Sequence, residues 1–298
     1  MTPLREQRAS ELIGSSDWIM QPKDDMEWMA ETLKQRAAFG GKNAIPAFLY
    51  RYFAPGGFTR ANLEDVLLRS RMRLSARSEF NDPFDSHCDW LPPDSREEAH
   101  SYFCGVAMNH GHTEAEAKLI ADTATQDGEY WKPFYDTVRG AIEKTGITCF
   151  AEDGLNFLMW SHYASHHRGV VVEFHELTNK GPIFKVFPVR YGDEFPRFTY
   201  SREHFHQQVF RSVLCKSSAW RYEMEWRIVH APHAKSYGDF VEPSIVKSLT
   251  FGCRANDEFK NEVLTIVAER KKAGLPDVEL YEAKLSDNAF ALERVALT

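Results

Sequence analysis

Between Glu223 and Ile228 the chain reads Glu-Met-Glu-Trp-Arg-Ile, and this alternation constrains the fold more than any other stretch. A period of two sends successive side chains to opposite faces of a sheet. Met224, Trp226 and Ile228 are therefore predicted to meet a core, while Glu223, Glu225 and Arg227 share the other face. Two carboxylates and a guanidinium on one side of a rigid strand make either a solvated edge or a site. The acids repel each other unless a cation is near, and Arg227, Arg221 or Lys216 can supply one.

The rest of the 298-residue chain supplies a sheet for such a strand. A chain this long can bury roughly 75% of its unfolded surface, so a full core is available. Strands are expected at Phe48 to Phe53, Arg71 to Ser75, Ile147 to Phe150, Val170 to Phe174, Ile183 to Tyr191, Ser248 to Phe251 and Val278 to Leu285. Met26, Met29, Ala30, Leu33 and Ala37 follow helical spacing, and Gly40-Gly41 ends that helix. Further helices are expected after Thr59, at Leu155 to Ser165, at Ser201 to Lys216 and at Asp257 to Lys272. Ser95 with Glu98, and Thr113 with Glu116, have capping-box spacing, and a third helix near Tyr130 to Lys144 follows them. The predicted organisation is an N-terminal accessory helix in residues 1–45 and one α+β domain in 46–298. That domain has mixed or antiparallel sheets and a helical insertion at about 94–145.

Charge and cysteine usage narrow the function classes. With 36 Lys+Arg against 43 Asp+Glu the net charge is −7, which argues against a broad nucleic-acid footprint. The five cysteines are scattered and contain no CxxC pair, as expected of reduced thiols in a cytoplasmic protein. No secretory signal is recognisable near the start and no apolar run reaches the ~20 residues of a membrane span, so no membrane partner is expected. Aromatic residues make up 13% of the chain, enough to line a pocket for a flat ligand as well as fill a core.

Several segments carry candidate chemistry. Arg51 lies within Leu49-Tyr50-Arg51-Tyr52, where its planar fork suits a phosphate or a paired acid. Phe80-Asn81-Asp82-Pro83-Phe84-Asp85 is turn chemistry whose Asn81 and Asp82 can border a pocket. Met159-Trp160-Ser161-His162-Tyr163 places aromatic and imidazole groups on a short helix, which is expected to pack Met159 and Trp160 inward and turn His162 or Tyr163 to a cleft. His162 and His166 stand at i and i+4, but no HExxH motif accompanies them, and no metal is expected. Glu173 is given no role.

Taken together, Phe80-Asn81-Asp82-Pro83-Phe84, Met159-Trp160-Ser161-His162-Tyr163-Ala164 and Tyr222-Glu223-Met224-Glu225-Trp226-Arg227 resemble the signatures of the bacterial and phage domain-of-unknown-function family 2971, over roughly Ala47 to Leu285. A weaker resemblance is to the ADP-ribosyltransferase fold. There a first strand carries an Arg or His that contacts the NAD-derived ligand, a helix and a short strand ending in Ser follow, and a late strand presents the catalytic Glu. Leu49-Tyr50-Arg51-Tyr52 and Leu74-Ser75 are similar to the opening unit, and Glu223-Met224-Glu225 is similar to the ExE of the arginine-directed branch. The Ser-Thr-Ser strand of that branch has only Thr148-Cys149-Phe150 as its nearest counterpart.

That resemblance implies NAD as substrate, with Glu225 as the catalytic carboxylate, Glu223 on the acceptor side and Arg51 on phosphate or ribose. Tyr52, Ser75, Asn81, Asp82, Trp160, His162 and Tyr163 are the implied nucleotide-binding residues. The expected function is transfer of ADP-ribose to an unknown acceptor macromolecule, or NAD cleavage, in a setting such as phage defence. The alternatives are a non-enzymatic nucleotide- or partner-binding module and a metal-dependent hydrolase or nuclease built on His162 and His166.

Overall fold

The computed structural model describes residues 22–92, 94–126, 132–175, 186–199, 205–240 and 242–297. Helix α1 (Pro22–Ala37) comes first. Its buried positions are Trp28, Thr32 and Arg36; of the stripe predicted from hydropathy, Leu33 packs half-buried against the core while Ala30 and Ala37 are exposed. Arg36 overrides the apolar pattern because its guanidinium reaches carbonyl oxygens and a carboxylate across the domain, as described below. The segment before residue 22 lies outside the described residues.

Strand β1 (Phe48–Phe53) leads to α2 (Gly57–Leu67), which starts two residues ahead of Thr59, and to β2 (Arg71–Leu74) with Met72 and Leu74 buried. After the short β3 (Asp89–Trp90) come three helices, α3 (Arg96–Asn109), α4 (Glu114–Ala124) and α5 (Lys132–Lys144). Both predicted caps form: Ser95 accepts from the Glu98 amide, and Thr113 and Glu116 make a reciprocal box. The expected start of the third helix at Tyr130 lies outside the described residues.

Next are β4 (Gly146–Ala151), α6 (Phe157–Tyr163) and β5 (Val170–His175). The strand expected over Ile183 to Tyr191 is divided into β6 (Val186–Pro188) and β7 (Arg190–Gly192), with residues 183–185 outside the described set. They are followed by β8 (Arg197–Phe198), α7 (Phe205–Val213) and β9 (Cys215–Ser217). The helix expected to run to Lys216 therefore stops earlier, and Lys216 sits in a strand; residues 201–204 are outside the described set. The chain finishes with β10 (Glu225–His230), β11 (Ser236–Asp239), β12 (Val246–Phe251), α8 (Asp257–Lys272), β13 (Glu279–Leu285) and β14 (Leu292–Ala296), the last of which was not predicted.

Eight strands form one mixed sheet in the order β14-β13-β12-β5-β1-β4-β10-β6. The β12–β13 pair is parallel and the other ladders are antiparallel. On one face Leu49, Phe150, Val172, Phe174 and Trp226 pack with Leu63 and Leu67 of α2 and Val263 and Ile266 of α8. The register places Glu225, Ala151, Tyr50 and Glu173 in one row across the other face. Two smaller clusters flank that row, one around Val138, Ile147 and Val213 and one around Trp160 and Val171. Among the described residues no helix is long and apolar enough to cross a membrane.

One ladder of this sheet is incomplete. Strands β1 and β4 share a single register pair, Tyr50 with Ala151, whereas β1 pairs with β5 along its full length. Past that pair β4 turns towards β2, where Ile147 bridges Ser75 through two backbone hydrogen bonds of 2.9 and 2.8 Å.

Candidate functional site

The predicted strand exists, but it begins at Glu225. Residues Ser218–Glu223 form a 3-10 helix, and Met224 takes a left-handed conformation with φ of 42°. Glu223 is therefore not on the strand. The kink nonetheless turns its carboxylate back beside that of Glu225. Such a conformation persists in a non-glycine residue only where its surroundings fix it. Here α1 supplies the support: Arg36 donates from Nη1 to the carbonyls of Glu225 (2.7 Å) and Val189 (3.1 Å), and from Nη2 to Glu152 (2.7 Å). The Trp226 indole N–H donates to the same Glu152 oxygen at 2.8 Å.

The charged face is neither solvated nor an edge, because β10 lies between β4 and β6 and Glu223, Glu225 and Arg227 are all buried. Arg227 donates from Nε and Nη2 to the two oxygens of Glu225 at 2.8 and 3.0 Å. It also grips both oxygens of Asp85 at 2.8 and 2.6 Å. Lys216 donates to Glu223 at 2.6 Å and to Glu225 at 3.2 Å, and stands 3.4 Å from Asp85. Tyr163 donates its hydroxyl proton to the other oxygen of Glu223 at 2.6 Å. Three carboxylates thus face two cations, leaving one negative charge in excess when all are ionised.

That imbalance separates the two glutamates. Burial, reinforced by the charge of Glu225, pushes Glu223 up to about 7 despite Lys216 and Tyr163. Burial acts on Glu225 as well, but Arg227 and Lys216 outweigh it and hold that carboxyl well below the ordinary range. Lys216 is shifted against its own burial: Glu225, Glu223 and Asp85 raise it. Burial raises Tyr163, so it stays a hydroxyl donor. Paired carboxylates with proton affinities driven apart mark acid–base assignments in known active sites.

A cavity of about 210 Å³ opens onto this cluster where β1 and β4 part. Because it occupies the gap between strands, side chains from both sheet faces line it, Arg51 and Phe150 from one and Tyr50, Cys149 and Glu225 from the other. Arg51 is partly buried and its side chain makes no hydrogen bond or ion pair to any described residue; the guanidinium lies 5.4 Å from the Phe53 ring centre. Burial lowers its proton affinity. An arginine without an acid, beside a carboxylate cluster with one charge too many, gives the cavity two electrostatic poles.

Seven of the ten predicted site residues line this cavity: Glu223, Glu225, Arg51, Tyr52, Ser75, Asn81 and Tyr163. The other three do not. Trp160 is fully buried, donates its indole N–H to the Gly154 carbonyl at 2.9 Å and packs edge-on against Tyr52, so it is core and no ligand can stack on it. His162 projects from the exposed side of α6 towards the rings of Trp220 and Tyr222. Asp82 caps the Phe84 amide at 2.9 Å and lines a neighbouring groove. The His162–His166 pairing also fails, because α6 ends at Tyr163 and Ser165, His166 and His167 are all left-handed. No group of three or more His, Cys, Asp or Glu among the described residues is placed to hold a metal.

Of the suggested counter-cations Lys216 and Arg227 are in the network, while Arg221 is exposed and lies over the Phe39 ring. Asp85 was missed as a member, although it directly follows the Asn-Asp-Pro-Phe turn. Tyr191, whose hydroxyl accepts from the Glu225 amide at 2.8 Å, gave no sequence signal.

Residues 159–228, from Met159 of α6 to Ile228 of β10, match the family model described as Protein of unknown function (DUF2971). Over these residues the chain is similar to that family. The match is shorter than the Ala47 to Leu285 span of the expected resemblance, yet the matched segment holds Tyr163, Lys216, Glu223, Glu225 and Arg227, five side chains that meet at the cavity. No curated protein and no solved structure matches the chain.

Proposed function

We propose that the cavity binds a nucleotide of the NAD type and that the chain is an ADP-ribosyltransferase-like enzyme acting on NAD. The observation that carries this reading is the pairing of an acid-free Arg51 with a carboxylate cluster bearing one excess negative charge in a single cavity. An anionic phosphate suits the first pole. A centre that becomes cationic suits the second, as a ribose C1′ does when it loses its base.

The chemistry assigned to each side chain follows from its protonation state. The bond from C1′ to nicotinamide breaks with its electron pair going to the leaving ring, which becomes neutral. Glu225, pinned and ionised, provides fixed negative charge beneath the developing oxocarbenium ion. The acceptor's nucleophilic atom, or water, then bonds to C1′ and passes its proton to Glu223, whose carboxyl exchanges a proton near neutrality. Arg51 holds phosphate or ribose. Tyr163 orients Glu223. The open strand pair β1/β4, with Ser75 at its far side, is the part of the fold that supports an ADP-ribosyltransferase-like core.

The test is incubation of the full chain with NAD and mass-spectrometric measurement of free nicotinamide. Release is expected from the native protein and is expected to fall about 100-fold or more in Glu223→Gln, the usual size of a lost general base. Equal release by the two proteins overturns the assignment. A binding-only module is favoured by one observation: both oxygens of Glu225 are already bonded to Arg227. That reading predicts saturable NAD binding with no nicotinamide released.

A further inference from the structure

At about 210 Å³ the cavity is smaller than the roughly 300–1,000 Å³ of pockets that enclose most of a drug-sized ligand. A dinucleotide engaged there must extend beyond it. A groove of about 580 Å³ adjoins the cavity, and two features border both. Lys216 is a shared wall, and the turn at residues 80–84 presents Phe80 and Asn81 to the cavity and Asp82 and Phe84 to the groove.

The groove carries two kinds of group that a nucleotide's outer half requires. Phe84 and Phe195 are 63% and 42% exposed, with ring centres 6.3 Å apart and planes at 29°. Large rings left in water beside a site offer a stacking platform. The second kind is cationic. Among the described residues, Arg211 lines the groove with its Nε buried and unpartnered, and Arg190 makes only a loose 3.9 Å pair with Glu31. Of the groove's own acids, Asp193 accepts from Ser218 and Asp82 caps Phe84, while Glu194 makes a similarly loose 3.8 Å pair with Arg197, which also lines the groove.

We propose that the groove is the subsite for the base and outer phosphate of the same nucleotide whose reactive half enters the cavity. The base stacks on Phe84 and Phe195, and Arg211, helped by Arg190, takes the phosphate nearer the base. A flat ring joined to an anion fits this lining, whereas an aromatic protein side chain leaves the arginines without a partner. The inference rests on the nucleotide reading of the cavity.

Calorimetric titration of the full chain with three probes separates the two. NAD spans both sites, nicotinamide mononucleotide fills only the cavity, and AMP fills only the groove. In the double variant Phe84→Ala/Phe195→Ala, which alters exposed side chains, affinity for NAD and AMP is expected to fall about tenfold or more. Affinity for nicotinamide mononucleotide is expected to stay unchanged. The subsite is overturned if the variant binds NAD and AMP as the native chain does, or if all three probes weaken equally. Binding of nicotinamide mononucleotide without AMP leaves the cavity standing and removes the subsite. AMP binding that depends on the two phenylalanines, without nicotinamide mononucleotide binding, keeps the subsite and removes the cavity reading. Binding of none removes both.

Discussion

Two buried acids occupy the same row of the sheet, Glu225 at one end and Glu173 towards the other, and their surroundings differ in charge balance. Glu173 faces one cation, Arg294, and one hydroxyl, Ser248, which donates to it at 2.9 Å. One acid against one base is a closed pair, and such a pair needs nothing further. Glu225 belongs to a set of three acids and two bases beside a cavity. That set is complete only when Glu223 holds a proton or a cationic ligand arrives. Charge imbalance, more than burial or the presence of carboxylates, distinguishes the candidate site from a structural ion pair.

The contrast can be broken at its strongest point first. Arg227→Leu leaves Asp85 and Glu225 buried without their main partner, and is expected to lower stability by about 3–5 kcal/mol, measured by urea unfolding. A loss as small as that of an exposed pair refutes the network. The next effect concerns pH. Glu223 binds its proton more tightly folded than unfolded, so its contribution is fully present below about 4.5, the unfolded value, and is lost as pH rises through about 7. Between pH 6 and pH 8 the native chain should lose about 1 kcal/mol that Glu223→Gln retains, visible as a difference in melting temperature between the two proteins. The smallest effect is expected at the balanced pair. Arg294 is 32% exposed, and Arg294→Ala should cost under about 1 kcal/mol and leave nicotinamide release unchanged. A large loss of release in that variant erases the distinction between the two ends of the sheet.

Much of this arrangement was legible in local sequence. Alternation identified β10 and its buried apolar face, and the spacing of Ser95 with Glu98 and Thr113 with Glu116 identified two helix starts, because those signals depend on neighbours within four residues. Arg51, Ser75, Asn81 and Tyr163 were placed at the site from motifs and a resemblance. What local pattern cannot carry is the long-range partner. Arg36 reads as a polar residue at a helix end, yet it is fully buried because its acceptors are contributed by Val189, Glu152 and Glu225. Asp85 reads as the tail of a turn and becomes a network acid only once Arg227 is brought to it. Backbone reversals were equally hidden. The left-handed Met224 removes Glu223 from the strand, and three left-handed residues end α6 at the histidines. The latter turn is held from a distance by the Arg254 N–H, which donates to the His167 carbonyl at 3.0 Å, an approach that Gly252 permits because a Cβ there would come within 2.1 Å of that oxygen. At Trp160 the two readings diverge: the resemblance implies a ligand contact, whereas the helix pattern packs the ring inward, and the structure follows the helix pattern.

The central claim is that two neighbouring glutamates differ in protonation because one negative charge is left over. Carbon-13 NMR of carboxyl-labelled glutamates, followed from pH 4 to pH 9, reads this directly. One carboxyl should titrate near 7 and vanish from the spectrum of Glu223→Gln, while that of Glu225 remains ionised throughout. Finding both carboxyls titrating together below pH 5 would contradict the account.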